Sequence, residues 1–314
     1  MGKLGGKWGA NFGLLIVALT WGTVIPTVNY LVAVWDPFFL GSFRYMAGAP
    51  LLALLLWWQE GFGRAKRQVA WWRPCLLGTV GLGLFAPLYT VGVAHANPIV
   101  AAVLSAAGPV IAAFVAWLAF REPINRRMFP AICLAVVGCV LATVDFAKLD
   151  DIGSIFVIRG GEFLILAAAA CWSWYSITAQ RWLKGWSQLR ISASTTGGGV
   201  PMLAAVYLLA GQVGWAKIPP ALPPDGWHLT LLCWLTFASI VLCLILWNYG
   251  VQNLGVVVAT MYLNLVPVVA LGILSIMGIR PSLPQVIGAG LVILGILYSE
   301  LLQYRHHRGR IAAA

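Results

Sequence analysis

The chain has 314 residues, of which 61% are hydrophobic and only 9% are charged, and its mean hydropathy is +0.88. Because soluble domains carry roughly 25% charged residues, this composition excludes a soluble globular protein and predicts an all-α integral membrane protein. The formal net charge of +11 also occurs in nucleic-acid-binding proteins, but here the basic residues lie between apolar runs. We therefore expect a lipid bilayer, and no nucleic acid, as a partner.

Ten apolar runs divide the chain. Each has about the 20 residues that an α-helix needs to cross a bilayer core roughly 30 Å thick. The sequence therefore predicts ten transmembrane helices, numbered one to ten in chain order. The runs cover approximately residues 12–34, 38–58, 75–94, 98–120, 128–147, 162–183, 191–213, 228–250, 256–278 and 284–302.

The basic residues indicate how these helices are oriented. Fifteen of the twenty Lys and Arg residues lie on one side of the membrane if the N-terminus is cytoplasmic. Cytoplasmic loops carry such an excess of positive charge. We predict a multi-pass protein of a bacterial-type inner (plasma) membrane with both termini in the cytoplasm.

Helix one is rich in hydrogen-bonding side chains, which include Trp21, Thr23 and Asn29. Unsatisfied polar groups are costly in hydrocarbon, so these residues are predicted to face other helices or a substrate cavity. Pro26 removes one backbone hydrogen bond and predicts a bend, which makes it a candidate hinge.

Helix two contains Arg44, the charged residue that lies deepest in any predicted helix. At 1.5 Å per residue it stands about 10 Å from the outer end. Two interpretations remain open. Arg44 contacts an anion or a carboxylate in a cavity, or it is a structural cation bonded to helix-end carbonyls.

Helices three and four contribute Tyr89, His95 and Ser105 as candidate substrate-binding residues. Pro109 interrupts helix four, and Pro267 interrupts helix nine. Paired breaks at matching places of two halves indicate a transport site near the membrane midplane. Both prolines are therefore candidate hinges.

The two prolines belong to a repeat in the sequence. Residues 92–123 can be laid on residues 250–281 with an offset of 158, and identical residues then coincide at several positions. The pairs include Gly92 with Gly250, Pro109 with Pro267 and Pro123 with Pro281. Chance similarity between apolar stretches is the alternative, but two copies are typical of a duplicated transporter.

The repeat predicts the domain organisation. Residues 1–147 form a first five-helix repeat, 148–161 a linking loop, 162–302 a second five-helix repeat, and 303–314 a basic cytoplasmic tail. Because five is odd, the second repeat inserts upside down relative to the first. Helices five and ten are apolar and are predicted to pack inside the protein or to form a homodimer.

The second half adds further candidate residues for binding substrate. Trp172 and Tyr175 lie near the middle of helix six, where a cavity is the better interpretation and an interfacial aromatic belt the alternative. Helix eight ends in Asn248 and Tyr249. Helix nine contributes Tyr262 and Asn264 ahead of its proline.

Several chemistries have no support in the sequence. The four histidines are scattered without metal-ligand spacing, so we expect no metal, and no catalytic residues or cofactor are predicted. Acidic residues fall only at helix ends or in loops. Proton-driven carriers usually keep a carboxylate inside the membrane, so a facilitator or an exchanger is predicted.

The chain resembles the drug/metabolite transporter superfamily, and in particular its EamA family of ten-helix carriers. The resemblance covers nearly the whole chain, although Arg280 stands where the family's second copy usually has an acidic residue. The features that carry it are Thr20-Trp21-Gly22, Arg44, Pro109, Glu122-Pro123 and Gly138 in the first half, and Pro267, Gly288 and Gly295 in the second.

This resemblance implies a basket-like fold in which helices one, three, four, six, eight and nine surround a central cavity. The aromatic amino acid exporters of the superfamily suggest the substrate class. The leading hypothesis is a non-enzymatic secondary transporter that exports amino acids, aromatic ones first, or related small metabolites by alternating access. Alternatives are a multidrug or cationic-compound exporter, a nucleoside exporter, a membrane-embedded transferase, and a receptor or scaffold that transports nothing.

Overall fold

The computed structural model describes residues 2–61, 69–121, 129–143, 158–254, 262–263, 265–295 and 298. Within these residues every regular element is a helix. The α-helices are α1 (Gly2–Gly22), α2 (Val24–Leu31), α3 (Pro37–Glu60), α4 (Trp72–Gly78), α5 (Phe85–His95), α6 (Pro98–Ala106), α7 (Gly108–Phe120), α8 (Phe129–Thr143), α9 (Gly161–Trp182), α10 (Gln188–Gln212), α11 (Gly226–Cys233), α12 (Cys243–Leu254), α13 (Leu265–Ile276) and α14 (Leu283–Gly295).

The helices confirm a multi-pass membrane protein. Among the described residues, six helical stretches are long and apolar enough to cross a membrane, and the bent pair α6–α7 would be a seventh. Helices five, nine and ten correspond to shorter apolar helices of 10–17 residues. The number ten therefore stays a prediction.

Two of the predicted helices are broken. Helix one divides at Thr23, whose amide donates to the Thr20 carbonyl at 3.1 Å. Pro26 follows within one turn and cannot donate to the carbonyl four residues before it. Helix four divides at Ala107, and its two parts, α6 and α7, are bent by 56°.

Two other membrane helices contain a π-helical segment. Thr79–Leu84 joins α4 to α5, and Trp234–Leu242 joins α11 to α12. These segments lie in helices three and eight, which are the third helices of the two predicted halves. Most π-helical turns are insertions in α-helices, and they are frequent at functional sites. The sequence analysis did not predict them.

The helices of the two halves pack on each other in a reciprocal pattern. Helix α1 packs against α12 and α13, and α9 packs in the corresponding way against α5 and α7. Helices α3 and α10 pack together. Gly138 of α8 and Gly288 of α14 face each other so closely that a Cβ on either would meet the other's carbonyl oxygen.

A buried cluster lies between the halves. Its members come from several helices of the first half and from α9, α11 and α13, and they include Val28, Val100, Ile165 and Ala270. Because lipid is as apolar as these side chains, close packing rather than the hydrophobic effect holds such helices together. The candidate site is built beside this cluster.

Candidate substrate-binding site

Four rings, named the aromatic row, run between α5 and α9. Phe85 stacks on Tyr89 with ring centroids 5.5 Å apart, and on its other side it contacts Trp172 at 5.3 Å. Trp172 in turn contacts Tyr175 at 5.4 Å. The rings are stacked or tilted, as aromatic pairs prefer.

Hydroxyl groups accompany the aromatic row. The Tyr175 hydroxyl and the Thr195 Oγ1 are hydrogen-bonded at 3.0 Å. Ser105, on the neighbouring α6, donates from its Oγ to the Ala101 carbonyl at 2.8 Å. Tyr89 and Ser105 are half-buried, and Trp172 is 39% exposed. The row therefore combines flat apolar surfaces with polar groups that can orient a ligand.

Arg44 lies beside this row, on the face of α3 that packs against α5. Only 2% of its surface is exposed. Its Nη2 donates to the Thr90 Oγ1 at 3.4 Å, its guanidinium carbon is 5.6 Å from the Tyr45 ring centroid, and its Nε has no partner. No carboxylate among the described residues pairs with it. Such a charge costs roughly 2.5–3.5 kcal/mol or more inside a membrane.

A second group of aromatic side chains, named the tryptophan cluster, surrounds the break in helix one. Trp21 donates from Nε1 to the Ser239 carbonyl at 2.8 Å, and its ring lies 5.9 Å from that of Trp247. Trp234 donates from Nε1 to the Thr23 Oγ1 at 2.8 Å. The break is therefore tied to the π-helical segment 234–242.

The two clusters correspond through the repeat. With the offset of 158 residues, Tyr89 of the aromatic row falls on Trp247 of the tryptophan cluster. Tyr89 and Trp21 both pack against the buried cluster between the halves. Both residues belong to the first half, and Tyr207 of the second half also packs against this cluster.

Four predicted residues lie apart from these clusters or contribute no described contact to them. His95 is exposed at the end of α5, where its Nδ1 donates to the Val91 carbonyl at 2.9 Å. Tyr262 donates to the Asn11 Oδ1 at 2.6 Å, and Tyr249 is 40% exposed on α12. Asn29 is half-buried on α2. Their positions along the helices were predictable, but their partners were not.

Asn264 and the side chain of Asn248 lie outside the described residues. Pro267 is buried in α13. Their roles stay predictions.

Several neighbours of the site were missed in the sequence. Phe85, Thr90 and Tyr45 looked like ordinary members of apolar helices. The packing of α3 on α5 brings Thr90 to Arg44, whereas Tyr45 directly follows Arg44 in α3 and Phe85 lies one turn before Tyr89 in α5. Trp247 could have been predicted as a site residue, because the offset of the repeat aligns it with Tyr89. Nothing in the sequence indicates the Ser239 carbonyl, since every residue has a backbone carbonyl.

The acidic residues that the structure describes stand at helix ends. Asp36 and Asp225 cap α3 and α11 by accepting from the amides of Phe39 and His228. The His228 amide, with the His228 ring, lowers the pKa of Asp225 below its ordinary value. Glu60 pairs with Arg190 at the other end of α3. Glu162, in the first turn of α9, accepts from the amide of Arg159 at 3.0 Å.

Comparison with protein families gives matches in both halves of the chain. A model of the EamA-like transporter family matches residues 8–144 and, a second time, residues 159–300. The first match ends before the predicted linking loop, and the second begins within its last residues.

Similar proteins cover nearly the full length of this chain. The uncharacterized transporter YyaM of Bacillus subtilis (strain 168) is 26% identical over 285 residues, which are 90% of this chain and 91% of that protein. The uncharacterized transporter YrdR of the same organism is 22% identical over 301 residues, or 92% and 90% of the two chains. A crystal structure that is 19% identical superposes with a TM-score of 0.62 over 95% of this chain and 99% of its own, so the fold is shared.

Proposed function

The chain belongs to the EamA-like transporter family, and on that premise we propose that it is a secondary transporter that exports amino acids, aromatic ones above all, or related small metabolites. The observation that carries this proposal is the aromatic row with its accompanying hydroxyls between α5 and α9. A row of stacked and tilted rings beside polar groups suits a ligand that is flat at one end and polar at the other.

Two inverted five-helix repeats are part of the proposal. The reciprocal packing of α1 on α12 and α13, and of α9 on α5 and α7, supports a pseudo-twofold axis in the membrane plane. So do the paired π-helical segments, which lie at corresponding places of helices three and eight. Inverted repeats with a site at their interface are common among secondary transporters.

Alternating access would use the breaks in the helices. Pro26 follows the break at Thr23, and Pro109 follows the 56° bend between α6 and α7. A broken helix can change its angle without disturbing the packing of both its parts. We propose these two places and Pro267 as hinges, with substrate held between the halves.

Transport without an imposed ion gradient is the first prediction. The acidic residues that the structure describes cap helices or pair at helix ends, so a facilitator or an exchanger is proposed. Purified protein in liposomes should move labelled phenylalanine or tryptophan down its gradient, and preloading with unlabelled substrate should accelerate uptake if the protein exchanges. Strict dependence on a proton or sodium gradient would contradict this mechanism.

Cationic drugs and nucleosides are the second class of candidate substrates. The rings of the row suit them too, through cation–π contact and base stacking. The buried positive charge of Arg44 disfavours a cation beside it. A panel of labelled amino acids, nucleosides and cationic drugs, assayed for saturable flux in the same liposomes, separates the three classes.

The proposal also includes an inner-membrane location with both termini cytoplasmic. A homodimer through helices five and ten is proposed as well. Within one chain, α8 and α14 already pack on each other through Gly138 and Gly288, while Val137 and Leu294 of these helices are exposed. A second copy would cover those outer faces, and cross-linking at Val137→Cys in native membranes tests it.

A further inference from the structure

We propose that Arg44 binds the carboxylate of the substrate, so that the protein selects compounds in which a carboxylate is attached to an aromatic or apolar group. This inference rests on the transport function proposed above. It adds the residue that recognises the charged end of the ligand, and it makes the carboxylate a requirement for recognition.

Arg44 carries a permanent charge that is buried inside the protein. Arg44 lies seven residues after the start of α3 at Pro37, which places it about 10 Å into that helix. Only 2% of its surface is exposed. A guanidinium stays protonated in proteins, so the charge cannot be removed by loss of a proton.

Within the described residues, the protein around Arg44 supplies no negative charge that pairs with it. The hydrogen bond that Arg44 makes within the described part of the chain is to the Thr90 hydroxyl, at 3.4 Å. The Thr90 hydroxyl donates its own hydrogen to the Ala86 carbonyl. The Tyr45 ring, at 5.6 Å, offers only its π-face. Arg44 makes no bond to a helix-end carbonyl among the described contacts, which was the structural alternative for this residue.

One hydrogen-bond donor of Arg44 is unused. The Nε of Arg44 is buried and has no hydrogen-bond partner. A buried donor without a partner is costly, and a guanidinium fits a carboxylate with two parallel hydrogen bonds. A carboxylate that accepts from Nε and an adjacent Nη would supply the missing charge and the missing partner together.

The aromatic row lies next to Arg44. Thr90, which contacts Arg44, directly follows Tyr89, whose ring stacks on Phe85. Phe85 also packs against the buried cluster that contains Tyr45, whose ring lies beside the guanidinium. A ligand with its carboxylate at Arg44 therefore has the row next to it for its ring.

The test compares compounds that differ only in the carboxylate. Saturable uptake into liposomes, and thermal stabilisation of the purified full chain, are measured with phenylalanine against phenylalaninamide and with tryptophan against tryptamine. The wild-type protein should prefer the carboxylate member of each pair by about tenfold or more, since hydrogen bonds to charged groups are the strong ones.

Two substitutions and one control locate the effect. Arg44→Gln should raise the KM for the carboxylate compounds by about tenfold or more and abolish the preference, whereas Arg44→Lys keeps the charge and should retain part of it. Arg73→Gln is the matched control. Arg73 also has a buried Nε without a partner, but its guanidinium lies over the rings of Trp72 and Trp182 at the start of α4. That variant should keep the wild-type preference.

Each outcome of these measurements either supports or overturns the assignment of Arg44. Equal uptake of both members of each pair by the wild type overturns the assignment of Arg44 and leaves the transport function standing, even if Arg44→Gln fails to fold. If no compound shows saturable flux, the transport function is contradicted. Thermal stabilisation then tests the assignment of Arg44 by itself. The carboxylate compounds must stabilise the wild type more than they stabilise Arg44→Lys. Stabilisation by inorganic phosphate as strong as that by phenylalanine overturns the assignment to an organic carboxylate.

Discussion

Trp172 occupies the middle of the aromatic row, with Phe85 on one side and Tyr175 on the other. It is also 39% exposed, whereas Tyr175 is buried. Of the two predicted residues on α9, Trp172 therefore has the larger free surface for a ligand, and Tyr175 is held by Thr195.

Trp172→Ala should reduce transport while leaving the fold intact. Aromatic pairs contribute about 0.5–1.5 kcal/mol beyond the area that they bury, so the loss of one ring should raise the KM for an aromatic substrate by roughly three- to tenfold. Initial rates of uptake at several substrate concentrations measure this change.

Trp58→Ala is the matched control for that substitution. Trp58 is 77% exposed near the end of α3, so its removal should not alter the KM. If Trp172→Ala leaves the KM unchanged as well, Trp172 does not contact the substrate. Equal protein abundance and melting temperature in the two variants exclude a folding defect.

Individual helices pack through their small residues. On α14, a Cβ at Gly288 would collide with the carbonyl of Gly138 and the amide of Ala142, whereas a Cβ at Gly290 would meet open space. The two glycines stand two residues apart on one helix. They differ in what they face and not in helix propensity.

Gly288→Ala should therefore destabilise the protein, and Gly290→Ala should not. Overpacking typically costs about 1–3 kcal/mol, while alanine in place of an unhindered helical glycine is neutral or favourable by up to roughly 1 kcal/mol. Thermal unfolding of both variants in detergent measures the difference. Equal melting temperatures would show that α8 and α14 do not pack closely at this place.

Broken helices follow from both local and distant causes. Pro26 and Pro109 each remove a backbone hydrogen bond, so a break within the preceding turn is a local consequence of the sequence. Trp234, which donates to the Thr23 hydroxyl, lies 211 residues away along the chain. The proline predicts that the helix bends, and the packing decides what the bend contacts.

The whole molecule has a reciprocal arrangement of its halves, and inverted repeats would explain it. Helix α1 of the first half lies against α12 and α13, and α9 of the second half lies against α5 and α7. In such an arrangement an odd number of helices in each half returns the chain to the side on which it began. The orientation is open to a direct test.

Single cysteines should report opposite sides of the membrane. In a variant whose six native cysteines are replaced, Leu222→Cys lies in the loop between α10 and α11, where Leu222 is 88% exposed, and should react with an impermeant thiol reagent applied outside cells. Trp71→Cys, at a residue 78% exposed before α4, should react only after the membrane is opened. The reverse pattern would place both termini outside and contradict the predicted topology.

Much of the fold could be predicted because a membrane helix is a local property. Twenty apolar residues must form a helix in a bilayer, since each backbone polar group needs a partner and lipid offers none. The observed bounds of helix two, Pro37–Glu60, accordingly lie close to the predicted residues 38–58. The π-helical segments were missed because no residue type marks them.

The candidate site was harder to predict. The sequence places a residue on a helix but does not say which other helices that residue contacts. Trp172 lies in the aromatic row, whereas His95, although it is on α5, bonds to a carbonyl of its own helix. Arg44 was recognised as unusual, yet its neighbours Thr90 and Tyr45 gave no signal of their own.

The amino-acid sequence by itself determined that this protein is a helical, multi-pass membrane protein of the EamA-like transporter family, because apolar length and repeated motifs are written along the chain. Only the tertiary structure decided that Trp21 bonds to a carbonyl 218 residues away and that Arg44 is buried beside the aromatic row without a carboxylate among the described residues. The physical reason is that helix–helix contacts in a bilayer arise from the close fit of surfaces, which sequence periodicity does not specify.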